Sequence, residues 1–361
     1  MEDLENKIKF SDFYKSQAID FKNAFPEMMP IFCPEGFPKN LKKRQLRVCR
    51  FCGKSAPDAT FKNDSHVFPK ALGNAFLISD FECDRCNNNF SRYEDDLMKY
   101  LGLSRTLSKV RGRKLNPGFV SKDIKASKEI IFNSEKVLKI ENKGPLKKIL
   151  FDRATLQQSI EYTKPPYIPI NVFKALYKMA LSIVPSDEMG DYYLGFEFLK
   201  HNFPINFKTG LVLHEYRLQY SYENISGWLF STSSEKREST VHTFVLLYDS
   251  FMIQILLPFN RKDFARSKNF KFPVCPPFFD ATGDNKFRHR SSQFLEMSSN
   301  KAKSDDTEKM IFQFNKEELL KTAVFDPKSG QVVKEAEFDF ENIASVYVVD
   351  SKFTYNPKTG K

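Results

Sequence analysis

Cys49-Arg50-Phe51-Cys52 and Cys83-Asp84-Arg85-Cys86 are the stretches on which the reading of this chain turns. Two residues between cysteines let both sulfurs of a pair reach one ion. Two such pairs supply the four thiolates of a closed tetrahedral zinc site. Gly53, directly after Cys52, lets the chain turn tightly beneath the metal. Residues 53–82 separate the pairs, more than a plain zinc ribbon needs, so something is inserted between the knuckles. The competing reading is two redox-active pairs, which a thioredoxin-like βαβ pattern would support and which this sequence lacks. Cys33 and Cys275 read as unpaired thiols without a role. The polar, mixed-charge start MEDLENKIKF does not read as a secretory signal, which argues against a disulfide framework and for a cytoplasmic protein.

The insert runs Thr60-Phe61-Lys62-Asn63-Asp64-Ser65-His66-Val67-Phe68-Pro69-Lys70-Ala71-Leu72-Gly73-Asn74. After the second pair comes Asn87-Asn88-Asn89-Phe90-Ser91-Arg92-Tyr93-Glu94-Asp95-Asp96-Leu97. A CxxC, then HxxPxxLGN, then CxxCN opening a helix, at this compact spacing, resembles the HNH endonucleases, the zinc-stapled branch of the ββα-metal nucleases. The resemblance covers about residues 47–101. It implies a β-hairpin and helix held together by zinc, and hydrolysis of phosphodiesters with a divalent ion.

His66 then corresponds to the general base, since a neutral imidazole near pH 7 can take a proton from water. Asn87 corresponds to the ligand on the helix, where its amide oxygen suits a hard ion such as Mg²⁺ or Mn²⁺. The plainer readings are a structural histidine at His66 and a helix N-cap at Asn87. One departure stands out. Where the family has Asp or Glu directly before the histidine, this chain has Ser65, with Asp64 one residue earlier and facing the other way on a regular strand. Asp64, and Asp80 near the family's middle asparagine, are the candidate carboxylates. Glu94 is too far along the helix from Asn87 to share an ion directly, so Glu94, Asp95 and Asp96 read as a solvated acidic face.

Charge agrees with a polyanion partner. The chain carries 56 Lys and Arg against 45 Asp and Glu, a net +11. Residues 1–125 hold 23 bases and 16 acids, so +7 of that total lies in the first third. It concentrates in two acid-free blocks flanking the motif, Lys39 to Lys54 and Lys99 to Lys122. Lys42, Lys43, Arg44 and Arg47 on one side, and Arg111, Arg113 and Lys114 on the other, are candidate phosphate contacts. The plain reading of such blocks is a solvated basic surface. Glycine is scarce, 14 residues, and neither GxGxxG nor GxxxxGK[ST] occurs, which excludes a glycine loop cradling phosphates. The longest apolar run, Phe251 to Phe259, is broken by Gln254 and far too short for a membrane span.

The fold class expected is α+β: a small ββα module with a four-cysteine zinc site, then a larger α+β region with an antiparallel sheet. Composition suggests a basic lead-in over 1–46, the nuclease module over 47–104, a linker of basic loop and short strands over 105–165, and a domain over 166–361. Asn171 to Val184 has helical periodicity and ends at Pro185; Leu211 to Leu257 contains four strands; 260–306 reads as a long polar loop. His201, His214 and His242 lack a second ligand at metal spacing and read as structural. The function expected is a metal-dependent endonuclease acting on DNA rather than RNA, alone or with an accessory protein or as a homo-oligomer. Bacterial HNH modules are often fused to further domains in restriction and phage-defence proteins. The rival readings are a non-catalytic zinc module that binds nucleic acid, and a sensor or interaction protein whose C-terminal region does the work.

Overall fold

The computed structural model describes residues 8–10, 15–32, 47–74, 77–107, 118–131, 135–144, 148–152, 154–201, 203–206, 208–217, 222–234, 238–265, 270–276, 278–280, 290–313, 324–325, 332–333 and 345–348. Two compact units share the chain, and neither is continuous in sequence: one comprises 1–98, 110–113 and 167–302, the other 99–109, 114–166 and 303–361.

In the first unit, helix α1 (Lys15–Ala24) and strand β1 (Glu27–Phe32) precede the hairpin strands β2 (Ser65–His66) and β3 (Ile78–Ser79). Helix α2 (Asp84–Leu107) follows, belonging to this unit up to Met98, then α3 (Pro169–Ile183) and α4 (Tyr193–Lys200). Strands β4 (Leu211–Arg217), β5 (Tyr222–Ser231), β6 (His242–Asp249), β7 (Phe251–Leu257) and β8 (Arg290–Glu296) complete it. Six of these strands form one antiparallel sheet in the order β8-β4-β7-β6-β5-β1.

Both faces of this sheet are covered, which is why β6 and β7 are buried along almost their whole length and are mostly apolar rather than alternating. On one face Phe21 and Phe25, from α1 and its end, pack with Leu213, Trp228, Phe230, Val245 and Leu247. On the other, Phe244 of β6 stacks on Phe68 from the segment between the two cysteine pairs, ring centroids 6.5 Å apart. Strand alternation sends Phe244 and Val245 to opposite faces, so one strand serves both layers. Gly227 on β5 makes room for Phe68, since a Cβ there would run into the phenyl ring.

Helix α3 starts with Pro169, whose fixed φ suits a first helical position, and is buried on nearly every face. It packs against β5 and β7, and Tyr177 donates its hydroxyl proton to the Pro258 carbonyl at 2.7 Å. No described helix is long and apolar enough to cross a membrane.

The second unit is antiparallel β. Thr307–Gln313, Gln157–Thr163 and Ile149–Asp152 form one sheet; Ser345–Val348, Glu135–Asn142, Ile124–Ile131 and Phe119–Val120 form another. Leu103, Phe119, Ile124, Ala126, Ile140, Ile149, Ile160 and Tyr162 make its core. Gly102 has φ +57 and lies close under the Tyr162 hydroxyl, where a side chain would collide.

The α+β class, the hairpin followed by a helix with four clustered cysteines, and the antiparallel sheet agree with the sequence reading. Three segment assignments differ. Residues 15–32 are not a lead-in but a helix and an edge strand of the large sheet. Residues 118–163 are not a linker, because their strands pair into a core of their own. Within 260–306, Arg290–Glu296 forms an edge strand on β4. Two of these segments, 27–32 and 290–296, acquire order from strands distant in sequence, whereas the strands within 118–163 pair chiefly with their neighbours along the chain.

Candidate active site and metal centre

The first knuckle is a tight turn. Cys49 N–H donates to the Lys54 carbonyl at 2.8 Å, and Gly53 N–H donates to the Cys49 carbonyl at 2.8 Å with Gly53 at φ +69. The second knuckle lies at the start of α2, where the Cys83 N–H points at the Cys49 sulfur at 3.4 Å. The Sγ atoms of Cys49, Cys52, Cys83 and Cys86 all lie within 4.8 Å of one another. A tetrahedral ion about 2.3 Å from each sulfur would space the sulfurs about 3.8 Å apart, and Cys52 and Cys83 are 3.8 Å apart. The thiols share protons as neighbours must. The bond with Cys86 pulls Cys49 down to about 4 against burial, while that same bond pushes Cys86 up and burial pushes Cys83 up. Four sulfurs at this spacing can hold a divalent ion, and an all-thiolate set fits Zn²⁺.

Between the knuckles stands the hairpin, with Ser65 paired to Ser79 and His66 to Ile78. Its connecting loop is closed by Asn74. The buried amide donates to the carbonyls of Phe68 at 2.8 Å and Leu77 at 2.9 Å, and accepts from the Leu77 N–H at 2.8 Å. Gly73, at φ +93, ends the short turn Lys70–Leu72 before it. Asn74 is thus the residue that organises the hairpin loop, a role the sequence reading did not assign. Its signal was the Leu72-Gly73-Asn74 run itself.

The other expected site residues are spread as follows. His66 is on β2 and 8% exposed. Asn87 lies within the first turn of α2, its N–H bonded to the Cys83 carbonyl at 3.0 Å, so it is not the N-cap. Its side chain is half-buried. Asp64 is exposed just before β2. Asp80 is half-exposed after β3, close enough to Arg50 to support its charge against burial. Ser65 is fully buried, and its hydroxyl faces the Glu82 carbonyl at 3.4 Å, so it is turned inward rather than offered to an ion. Among the described residues the four cysteines are the one group of three or more His, Cys, Asp or Glu side chains near enough to share an ion.

Asp84 occupies the positive end of α2. Its carboxylate accepts from the N–H groups of Lys62 at 3.0 Å and Asn63 at 2.8 Å and from the Thr60 hydroxyl at 2.5 Å, which lashes the loop before β2 to the helix. A carboxylate at that end already answers the helix dipole, which weakens it as a phosphate seat.

Of the basic residues, Arg47 donates to the Phe61 carbonyl at 3.3 Å and lies over the Phe61 ring. Arg50 is committed further. One of its nitrogens donates to the carbonyls of Leu181, Ser182 and Val184 at 3.0, 2.9 and 3.0 Å, the orphan acceptors at the C-terminus of α3, while the guanidinium stacks on Phe81 at 4.1 Å. Lys42, Lys43, Arg44, Arg111, Arg113 and Lys114 lie outside the described residues.

A strand, a strand and a helix with a histidine in the first strand, stapled by four cysteines, form the ββα arrangement. Residues 49–99 match the family model described as HNH endonuclease. This segment is an HNH module. No curated protein and no solved structure matches the chain.

The HNH module has anchors that sequence reasoning missed. Lys174 and Lys178, one turn apart on α3, are both buried. Lys174 donates to the His201 carbonyl at 2.7 Å and lies over the rings of Tyr93 and Phe198; burial, with Arg92 nearby, lowers it to about 8. Lys178 forms ion pairs with Glu82 at 3.0 Å and Glu94 at 3.7 Å and donates to the His66 carbonyl at 2.9 Å. Burial opposes its charge, and the two carboxylates more than restore it; both carboxyls are pushed up by burial. The acidic run is therefore only in part a solvated face. Asp95 is exposed, but Glu94 pairs with Lys178, and Asp96 is buried and accepts from the Asn171 amide at 2.7 Å. The signal for these contacts was two lysines four residues apart in an otherwise apolar helix.

The remaining described histidines have structural surroundings. His242 is buried between the Tyr192 hydroxyl at 2.7 Å and Glu188 at 3.3 Å, His214 packs on Phe251, and His201 faces Glu197 at 3.3 Å.

Proposed function

We propose that the HNH module hydrolyses phosphodiester bonds in DNA, with His66 as the general base and Asn87 as a ligand of a divalent ion, Mg²⁺ or Mn²⁺. The observation that carries this reading is the ββα arrangement itself: His66 on a hairpin strand and Asn87 in the first turn of the helix that follows, with four clustered sulfurs at their junction. A zinc ion on Cys49, Cys52, Cys83 and Cys86 would serve as a staple and not as a reactant.

The donor set for the second ion is oxygen, which suits a hard cation. Asn87 supplies an amide oxygen and Asp64 an exposed carboxylate within reach of solvent; Asp80 is the weaker candidate because it attends Arg50. When bound, such an ion stabilises negative charge on the phosphate and the departing oxygen. His66, whose ring nitrogens are both buried in this structure, would take a proton from a water admitted beside them. The water oxygen forms the new bond to phosphorus as the bond to the 3′ oxygen breaks, and that oxygen collects a proton from solvent. Arg47, Lys42, Lys43 and Arg44 before the module, and Arg111, Arg113 and Lys114 after it, would meet phosphates along the backbone, chiefly as sequence-independent contacts. A role in restriction or phage defence rests on family analogy alone.

The test is plasmid nicking with Mg²⁺, Mn²⁺ or EDTA. His66→Ala is expected to lower the nicking rate by at least about 10²-fold while zinc content and DNA binding stay at wild-type levels. Equal cutting by wild type and variant would remove His66 from the mechanism. A second reading, a zinc module that binds nucleic acid without cutting it, is favoured by one observation. The position that carries a carboxylate in the family is Ser65, buried and turned to the Glu82 backbone. Salt-sensitive DNA binding with no metal-dependent nicking would select it.

A further inference from the structure

Strand β2 is two residues long and pairs with β3 at two positions. So short a hairpin holds its geometry poorly on its own. Its second residue is His66, and the His66 carbonyl accepts a hydrogen bond from Lys178, which lies on α3 well beyond the HNH module. The same ammonium meets Glu82, next to the second knuckle, and Glu94 on α2. One ammonium thus donates to the His66 carbonyl and pairs ionically with Glu82 and Glu94, joining three places that the proposed chemistry needs in register: the strand of the base, the knuckle, and the helix of Asn87. The side chains of Lys178 and Glu82 are 1% and 0% exposed, so water does not compete at the ammonium or at Glu82.

We infer that Lys178 is a positioning residue for the candidate active site: by holding the His66 carbonyl it sets the peptide plane, and with it the direction in which the imidazole leaves the backbone. The inference rests on the reading of His66 as the base. A charge-assisted bond to the backbone of a reacting residue acts on its orientation rather than on its chemistry, and misplacing a catalytic group by about 1 Å costs about 10²-fold in rate. The C-terminal part of the chain would then be required to aim the base, as well as to carry the module.

The experiment separates aiming from mere support. Removing Lys178 alone strands the Glu82 charge in the interior, so the test variant is the neutral pair Lys178→Met with Glu82→Gln, in the full chain. Zinc content reports on the fold, histidine-labelled NMR on the five imidazoles, and plasmid nicking on kcat and KM. The expected result is native zinc content, a displaced His66 resonance with His214 and His242 unmoved, and kcat lowered about 10²-fold with KM little changed. Lys178→Arg, which keeps charge and donors, is expected to return most of the kcat and the His66 resonance. The inference is overturned if the neutral pair leaves kcat within twofold of wild type and the His66 resonance in place, or if the arginine variant is as impaired as the neutral pair despite native zinc content. Where the neutral pair loses its zinc, the arginine variant decides alone: a native His66 resonance supports the inference and a displaced one overturns it. Should wild type not cut DNA, the proposed function fails, and the NMR arm still shows whether Lys178 sets the His66 ring.

Discussion

Two clusters hold the HNH module, and they work by opposite physics. The four cysteines gather charge around a site suited to a metal ion, and each sulfur is within three residues of another along the chain. The Lys178 cluster has no such ion to gather it. It joins Glu82, Glu94 and the His66 carbonyl through one buried ammonium, and its members are brought together by packing alone. A thiolate set draws its stability from a ligand that binds the folded form. A buried ion pair contributes little net stability, because desolvation offsets the attraction, but losing one partner is costly. The first cluster is therefore a staple and the second a specifier of geometry.

The largest effect should come from breaking the staple. Cys83→Ser, or a strong zinc chelator, is expected to unfold residues 49–99 and abolish any nuclease activity, read by loss of zinc and of chemical-shift dispersion in the module. Retention of both would mean that the thiols serve another purpose. Next in size is Lys178→Met alone, expected to cost about 3–5 kcal/mol in denaturant unfolding because Glu82 is left buried and unpaired. Adding Glu82→Gln should recover most of that loss, and no recovery would show that the pair is not the source of the cost.

A third prediction uses a site in the large sheet, apart from both clusters. Burial first, and then Lys262, lowers His242 from 6.5 to about 4. Between those values the unfolded chain binds a proton that folded His242 refuses, so stability is full above pH 6.5 and falls as pH drops toward 4. The whole window is worth about 3 kcal/mol. The fall in melting temperature from pH 7 to 4.5 should be smaller in His242→Gln than in wild type; equal falls would assign the acid sensitivity to other groups. The smallest effect expected is that of Gly227→Ala, which pushes a methyl into the Phe68 ring and should cost about 1–3 kcal/mol. If zinc content is unchanged while stability drops, the contact between module and sheet is separable from the staple.

The same contrast explains what could be read in advance. Cys49 and Cys52 lie on one turn and Cys83 and Cys86 on another, so their spacing alone shows that each pair can share an ion. Phe90, Tyr93, Leu97 and Leu101 recur at helical spacing, a pattern legible because helix periodicity is local, and all four are buried. Arg50 was harder. It sits in a basic block that resembles a phosphate surface, yet it caps a helix far along the chain. Glu94 and Asp96 looked solvated because a carboxylate on a helix is usually exposed, and nothing near them in sequence announces Lys178 or Asn171.

The amino-acid sequence by itself determined the cysteine set, the helix after it and the antiparallel strands, because each follows from spacing within one turn or one repeat of backbone geometry; the histidine hairpin followed from the resemblance to the HNH endonucleases. Tertiary structure alone decided that α1 packs on the large sheet and β1 joins it, that residues 118–163 build a core and pair with strands 307–313 and 345–348, and that two lysines of α3 are buried against the module. Those outcomes depend on which distant surfaces exclude water together and which buried charges find partners there, and neither condition is written in any short stretch of chain.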